Sequence, residues 1–466
     1  MAIQKQDTVE VTKRRVSSFL NTEVRDFARY VVETRSCPNI MDGLKVGARK
    51  ILWAAITGDL KNSNKIKMPS LIGDAMKQHY QHGDASLMNT IVQLCSTHVM
   101  KYSPLEVIGQ IGTLRVPKCD TAARYLHIKK TPYLEFFKQD FELLERHIDD
   151  GDLVEPKYFL PIIPMVLLFR TNSPGFGFSF RSFSYQLDSV IDNCVKVITQ
   201  GSCQTDIDEI PLIPFVEGIK PENMIYNSSK DSWYCVGEYE INLDTDTLII
   251  TDLPFDVSFE KYDETLHNLI EKQYIVSFTN LSMDGKIRYA IHFAKGRLKL
   301  VSQDKWKFFQ NMKLFSKVMK NTLNCIDADG KTIMNFETPY HLIDVFVKKR
   351  LVFYQKRKTR TIQILGVDIA ELSYKIMFIT LVTQGSLIVN NRPITDIKLD
   401  LDKLQIPYDV LKMNIDKLTK EEIEKMIQKR DELQTYLEYI KVTPISDMYL
   451  NDLIDFKRKF STITQL

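Results

Sequence analysis

Apolar positions in the first third of the chain recur at helical spacing. In VGARKILWAAI, Ile51, Leu52, Ala55 and Ile56 share one face, with Arg49 and Lys50 off it. DASLMNTIVQLCSTHV repeats the pattern, with Leu87, Met88, Ile91, Val92, Cys95 and Val99 at steps that keep them together. Between these two stretches lies KNSNKIKMPSLIGDAMKQHYQHGD, which reads as a basic connection, a short helix and a glycine turn. Short helices joined by tight turns under a basic surface predict a helix-turn-helix or winged-helix domain over residues 14–158.

From residue 159 the pattern changes. YFLPIIPMVLLF, EYEINLDTDTLIITDLPFDV and GKIRYAIHFA are β-branched and aromatic runs bounded by Pro, Gly, Asp and Asn, and they predict strands. Helices between them make residues 159–335 a mixed α/β domain. Residues 336–466 read as helical. Thr338-Pro339 is an N-cap followed by proline at the first helical position, opening the long basic helix YHLIDVFVKKRLVFYQKRKTRTIQIL. Thr419 and Glu422 form a capping box. Behind it Ile423, Met426, Leu433, Leu437 and Ile440 follow heptad steps, with Arg430 in the one polar slot. The run is short, which suits a helical hairpin packed on itself or on a partner. The fold class that follows is multidomain α+β, in three parts.

Composition narrows the functional classes only modestly. At 466 residues the chain exceeds one small core, and 44% hydrophobic with 26% charged residues is ordinary for a folded soluble protein. The formal net charge is +3, so any basic surface must be local. The seven cysteines are scattered without a CxxC, which favours reduced thiols and an intracellular location over zinc or disulfides. The N-terminus lacks an apolar stretch of signal-peptide type, and no segment approaches the ~18 apolar residues of a membrane span. No membrane partner is expected.

Candidate chemistry centres on KCDTAARYLHIKK. Tyr125 has Arg115, Lys118, Arg124, Lys129 and Lys130 around it in sequence. A phenol has an ordinary pKa near ~10, so a nucleophilic tyrosine needs cations to favour the phenolate and to neutralise a phosphate under attack. A solvated basic loop would be spelled the same way. His82, in HYQHGD, precedes a glycine turn and a helix start. His79 stands three residues away, but no third and fourth ligand for a metal lies nearby. Lys45 and Arg49, in MDGLKVGARK, flank a glycine near a helix N-terminus, which suits either a phosphate cradle or a charged solvated face. In PIIPM, two prolines hold Ile162 and Ile163 rigid and extended; Ile163 is either a strand residue or an apolar wedge for a base step. GFGF (175–178) is too weak to be a nucleotide loop, and no GxxxxGK[ST] occurs.

Taken in order, these segments resemble the breakage-reunion region of type IIA DNA topoisomerases. RSCPNIMDGLKVGARKIL is similar to the family's opening R-S-x-P-x-x-x-D-G-L-K-x-x-x-R-K motif. HYQHGDASLMNTIV resembles its histidine-glycine-acid motif, and IGQIGT followed by ARY resembles the segment ending on the active-site arginine and tyrosine. FLPIIPMVL is similar to the stretch carrying the DNA-intercalating isoleucine. FETPYHLIDVFVKKRLVFYQKRK and LTKEEIEKMIQKRDELQTYLEYIKVTPISDMYLNDL resemble the two arms of the coiled-coil exit gate. The likeness runs from about Val16 to Lys459, in a spelling closest to eukaryotic members and those of large cytoplasmic DNA viruses.

The resemblance implies a winged-helix cleavage domain (14–158), an α/β tower domain (159–335) and a coiled-coil C-gate for dimerisation (336–466). Tyr125 would be the nucleophile that takes the 5′ end of a broken strand. Arg124 would stabilise the pentavalent phosphate and His82 would hydrogen-bond one of its oxygens. Lys45, Arg49 and Lys118 would hold the DNA backbone, and Ile163 would wedge between bases. The partners implied are two DNA duplexes and a second copy of the chain. Mg²⁺ and ATP would be held by TOPRIM and ATPase modules that this sequence lacks, with no metal site of its own. The location implied is the host cytoplasm if the source is viral, the nucleus if cellular. Two departures stand out: RTNSPGFGFSF differs from the family's N-G-x-x-G-I-G-x-G stretch, and KCDTAARY lacks the serine-proline that eukaryotic members place before Arg-Tyr. A rival from another class is a DNA-bending architectural dimer that never cuts. A tyrosine recombinase would carry an Arg-His-x-x-Arg cluster ahead of its tyrosine, and none is present.

Overall fold

The computed structural model describes residues 14–117, 121–204, 210–216, 218–227, 232–283, 286–318, 320–413 and 420–461. Its contacts divide it into two compact units, one up to Val347 and one from Lys348.

The first unit opens with a helical run in which α-turns (Val16–Phe19, Arg25–Val31) alternate with π-turns (Leu20–Val24, Val32–Ser36). Then come helix α1 (Val46–Thr57), strand β1 (Lys65–Lys67), helices α2 (Met68–Met76) and α3 (Asp84–Cys95), and strands β2 (Leu105–Ile108) and β3 (His127–Lys130). The three strands form one antiparallel sheet in the order β1-β3-β2. Leu71, Leu87 and Ile91 of α2 and α3 are buried, as are Ile51, Leu52 and Ala55 of α1. Arg49 and Lys50 depart from the expected polar face. Residues Ala48 to Leu52 are buried consecutively, so this helix is enclosed nearly all round. Buried charges must then be paired. Arg49 pairs with Asp42 and Lys50 with Glu155.

A hairpin, β4 (Arg146–Asp149) and β5 (Asp152–Pro156), leads into residues 159–169, all of which are buried. This segment was expected as a strand; it is irregular, with one 3₁₀ turn at Met165–Leu167. Pro161 and Pro164 lack N–H donors and cannot take part in an interior ladder, so the run packs as a buried extended rope. A second hairpin follows, β6 (Thr171–Ser173) with β7 (Phe180–Ser182), and its tip is the GFGF stretch. Gly175 is required there. A Cβ on it would lie 2.7 Å from the Ser36 hydroxyl and 2.3 Å from the Phe178 carbonyl oxygen.

The strands expected further on are present as β8 (Tyr239–Asn242), β9 (Thr247–Ile250) and β11 (Tyr289–His292), joined by β10 (Ser277–Asn280), which was not expected, in the order β8-β9-β11-β10. They share a core with Tyr262, Leu266 and Phe308 from neighbouring helices.

Helix α4 (Pro339–Thr383) starts where Thr338-Pro339 predicted, and the Thr338 hydroxyl accepts the His341 N–H at 3.1 Å. In the second unit, Phe378, Ile379, Leu401, Ile406 and Val410 form a core against which Ile423 and Met426 pack. Those two open the heptad of helix α5 (Lys420–Val442), in which Leu437 and Ile440 are also buried. Thr419 of the expected capping box lies outside the described residues. Helix α6 (Ile445–Ser461) lies along α4, with the Tyr354 and Tyr449 rings stacked at 4.5 Å and the Tyr354 hydroxyl donating to Asp452 at 2.8 Å.

Candidate active site

Tyr125 ends a 3₁₀ turn, Ala123–Tyr125. The turn is fixed by its backbone: Tyr125 N–H donates to Ala122 at 3.0 Å and Leu126 N–H to Ala123 at 3.1 Å. Leu126 is buried, and its carbonyl accepts the N–H of Met68, the first residue of α2, at 3.0 Å. A Cβ on Gly109, itself at φ +131, would strike the Leu126 side chain at 2.5 Å. The residue after the tyrosine is thus locked into the fold while the tyrosine ring is left outside, 65% exposed. The Arg124 guanidinium lies 4.7 Å from the centre of that ring. Neither the Arg124 guanidinium nor the Tyr125 hydroxyl has a hydrogen-bond partner among the described residues, so both are available to a ligand. A rigidly held, exposed phenol under a guanidinium suits attack on a phosphate, since Arg presents paired donors that match phosphate oxygens.

The other cations near Tyr125 in sequence divide into two groups. Arg115 is withdrawn from the surface: it pairs with Asp252 at 3.0 Å and donates to the carbonyls of Leu253, Pro254 and Val257. Lys118 lies outside the described residues. Lys129 and Lys130 are on β3, where Lys129 reaches Glu106 at 3.3 Å and Lys130 donates to the Lys61 carbonyl at 2.9 Å.

His82 sits in a different place. Its Nε2 lies 3.1 Å from the Tyr30 hydroxyl and 3.1 Å from an Arg35 Nη, and its ring meets Tyr80 edge-on at 5.3 Å. These groups, with Lys50, His79 and His147, line a cavity of about 520 Å³. Burial holds the His147 imidazole below its ordinary pKa. His79 turns to Asp152 at 3.1 Å rather than toward a shared ligand with His82. Lys45 lines an adjoining cavity of about 390 Å³ that shares Arg35, Gly47, Tyr80 and Ser86 with the first. Its ammonium donates to the Ser173 hydroxyl, and burial lowers its pKa. Neighbouring Cys37 is pushed up to about 11 by burial, against the pull of the Lys45 charge. Lys45 and His82 are therefore brought to neighbouring cavities, while Arg124 and Tyr125 line neither.

Two of the residues expected to meet DNA are buried in this structure. Arg49 was expected on a phosphate cradle. Its Nε and Nη2 instead donate to Asp42 at 2.7 and 3.0 Å, with a third bond to the Leu44 carbonyl at 3.0 Å. The guanidinium is spent on holding the loop before α1. Ile163 was expected to wedge into DNA, but it is 0% exposed and its neighbours Ile162 and Met165 are buried with it. The first exposed large apolar side chain after it in sequence is Phe176, 53% exposed at the β6–β7 tip, with its ring 5.9 Å from Phe27.

Tyr30, Arg35 and Phe176 were not singled out from sequence as site residues. Arg35 opens the R-S-x-P motif, and Tyr30 precedes it by five residues on the same helical run, so both lay within reach of a pattern reading. Phe176 lay in a stretch weighed as a nucleotide loop and as a departure from the family's glycine motif, with no residue in it assigned a role. Among the described residues no group of three or more His, Cys, Asp or Glu is arranged for a metal ion. No helix among them is long and apolar enough to cross a membrane.

A family profile for the DNA gyrase/topoisomerase IV A-subunit matches residues 35–456. The chain is 29% identical over 414 residues to DNA topoisomerase 2 of Plasmodium falciparum, with 87% of this chain and 28% of that protein covered. It is 30% identical over 402 residues to the mitochondrial DNA topoisomerase 2 of Dictyostelium discoideum, covering 83% of this chain and 30% of the relative. The chain thus spans less than a third of the length of these relatives. Among solved structures it is similar to the Plasmodium falciparum topoisomerase II DNA-binding, cleavage and re-ligation domain. That match has a TM-score of 0.81 and 25% identity, covering 96% of this chain and 65% of the other.

Proposed function

The chain belongs to the DNA gyrase/topoisomerase IV A-subunit family, as part of a type IIA breakage-reunion region, and from that premise we propose that it forms the DNA gate of a type II topoisomerase. The observation that carries the reading is Tyr125: exposed, held on a locked turn, capped by Arg124, and placed where the family profile matches. In the proposed step the Tyr125 oxygen attacks a backbone phosphorus. An O–P bond forms to the tyrosine as the phenol gives up its proton, and the bond to the 3′ oxygen breaks. That oxygen leaves as a 3′-hydroxyl after taking a proton, and the 5′ end stays on the protein. Arg124 neutralises the charge that builds on the phosphate oxygens in the transition state. Religation is the reverse.

His82, with Tyr30 and Arg35 converging on it, is proposed to hold a phosphate oxygen, and Lys45 to hold the backbone beside it. Arg49 is left out of the DNA contacts, since it is consumed by Asp42. The wedge passes from Ile163 to Phe176, because only an exposed apolar side chain can enter a base step without unfolding its own core. The helix–strand–helix–helix–strand–strand order of α1 to β3 supports a winged-helix reading of residues 14–158. The tower reading of 159–335 is supported by the β8–β11 sheet. The C-gate reading of 336–466 is supported by the helices of the second unit. Two copies would cut opposite strands and pass a second duplex between them. Mg²⁺ and ATP would act through modules outside this sequence, inside a cell, at sites of DNA replication.

The test is Tyr125→Phe in the complete enzyme. Covalent attachment to DNA should vanish while duplex binding stays nearly intact, because binding rests on phosphate contacts and only one oxygen is lost. Trapped wild-type complexes should carry the 5′ end on tyrosine. Retention of a labelled 3′ end, or undiminished attachment in the variant, would sink the proposal in favour of a non-cutting DNA bender or another nucleophile.

A further inference from the structure

Strand β3 begins two residues after Tyr125 and carries its turn directly into the β1-β3-β2 sheet. Residues of one parity on these strands face the core: Leu105, Ile128 and, half-buried, Ile66. The opposite face holds two cross-strand rows. One is Lys65–Lys129–Glu106, and the other is Lys67–His127–Ile108. Three lysines and a histidine thus stand against one carboxylate. Glu106 reaches Lys129 at 3.3 Å, and both side chains are more than half exposed. Lys65 and Lys67 are exposed and make no hydrogen bond or ion pair among the described residues.

Like charges directly opposite in an antiparallel pair destabilise it, so the Lys65–Lys129 pairing works against the free fold. Lysines do protect edge strands from unwanted pairing, and that accounts for Lys65 and Lys67, since β1 is an edge. It does not account for Lys129, because β3 is the central strand with both its edges paired. Nor is the lysine needed for packing, since its side chain faces solvent. On the other face, Lys130 turns its ammonium to the Lys61 carbonyl and is thereby spent.

We propose that this sheet face is a binding track for a polyanionic phosphodiester backbone, in which Lys65, Lys67 and Lys129 neutralise phosphates on the duplex that Tyr125 attacks. The inference rests on the DNA-gate reading and extends it to residues outside the Arg124–Tyr125 turn. At ~3.3 Å of rise per extended residue, Lys129 lies roughly 13 Å along the chain from Tyr125. DNA advances ~3.4 Å per base pair, so the phosphates contacted lie about three to four pairs from the scissile one. Exposed ammonium groups are point charges without base preference, so the track positions the duplex and reads no sequence.

The test uses the whole chain and a fluorescent duplex of about 30 base pairs, with affinity measured by anisotropy across a salt series. Each phosphate contact contributes about 0.9 to the slope of log affinity against log salt. The triple variant Lys65→Gln, Lys67→Gln, Lys129→Gln should lower that slope by about 2 to 3, with an unchanged or raised melting temperature. A charge-matched control, Lys403→Gln, Lys412→Gln, Lys425→Gln, removes three exposed lysines of the second unit and should leave the slope as it is. The Lys→Arg triple at positions 65, 67 and 129 should restore it. If the Gln triple and the control behave alike while wild type binds steeply, the track is wrong and the gate reading stands. If wild type and Tyr125→Phe both fail to bind duplex, the gate reading fails and takes the track with it.

Discussion

Asp42→Asn replaces one oxygen by an amide in a place where no polar group can be spared. The wild-type carboxylate is fully buried. It accepts from Arg49 Nε at 2.7 Å, Arg49 Nη2 at 3.0 Å, the Leu44 N–H at 3.0 Å and the Phe159 N–H at 3.0 Å. It therefore ties the loop before α1, the helix itself and the start of the buried 159–169 segment to one point. Asparagine has a single acceptor oxygen, so its NH₂ must face either the Arg49 and Phe159 donors or the Arg49 and Leu44 donors. Two of the four bonds are lost whichever way it turns, and the Arg49 charge is left buried without a counter-ion. Breaking a buried pair from one side costs about 3–5 kcal/mol. In a unit of this size that amounts to a fall of roughly 5–10 °C in melting temperature. Trp53 fluorescence is a suitable probe, because the indole sits on α1, stacked 5.3 Å from Phe141. Asp42→Asn with Arg49→Leu should recover part of the loss, since the orphaned charge is then gone. A shift of about 1 °C or less for Asp42→Asn would refute the reasoning. So would an Arg49→Gln variant that melts like wild type and loses one phosphate's worth of salt dependence, for that is how a DNA-backbone contact behaves.

Other outcomes follow from the same geometry. Ile163→Ala should cost the ~2–5 kcal/mol of a buried large-to-small change, while Phe176→Ala should leave melting unchanged and reduce the bend of bound DNA read by donor–acceptor distance; the reverse pattern would return the wedge to Ile163. Asp344 is pushed up by burial, but bonds from the Ser202 hydroxyl, the Cys203 N–H and the Gln204 amide outweigh this and hold its carboxyl below the ordinary value. Its contribution to stability is therefore complete above the unfolded carboxyl pKa of ~3.9 and is lost as pH falls through the lower folded value; Asp344→Asn should flatten the acid limb of a urea-midpoint profile, and identical profiles would refute this. The chain by itself should sediment as a dimer at micromolar concentration, and a monomer would count against the gate. Purified alone with Mg²⁺, it should not relax supercoiled plasmid, and robust relaxation would show that it holds metal chemistry the residues described do not provide.

Helices α1, α3 and α4 were legible because their apolar periods exceed two turns and two of their ends are marked: Gly83 before α3 and Thr338-Pro339 before α4. The strands β8 and β9 were legible as β-branched runs bounded by Asn and Asp, and their pairing as a hairpin was not read. YFLPIIPMVLLF was misread as a strand because a short apolar run signals burial more surely than it signals backbone conformation, and its prolines exclude the ladder it was assigned to. The tyrosine turn was visible as composition, but its exposure was not. That depends on Leu126 being pinned by Gly109 and Met68, contacts 17 and 58 residues away in sequence that no local pattern reports.

The cations were the hardest to assign, and the structure shows why. Lys45, Arg49, Arg115, Arg124 and Lys129 are all basic residues beside glycine, aromatic or strand signals, yet they have four different fates. Arg49 and Arg115 meet carboxylates, Asp42 and Asp252, that lie 7 and 137 residues away, and both are withdrawn from any ligand. Lys45 is half-buried against Ser173, Lys129 keeps one exposed carboxylate, and Arg124, among the described residues, keeps the tyrosine ring. Availability to a phosphate is thus set by whether the fold has already delivered a carboxylate, and sequence spacing carries almost no information about that. The same reasoning separates Ile163 from Phe176. Two apolar side chains in consecutive segments read alike until one is enclosed in a rope of buried neighbours and the other is raised on a hairpin tip where Gly175 has no room for a Cβ. An apolar group that is already buried has no hydrophobic gain left to offset unstacking a base step, whereas an exposed one does. Exposure, more than residue type, therefore decides which of the two could bend DNA.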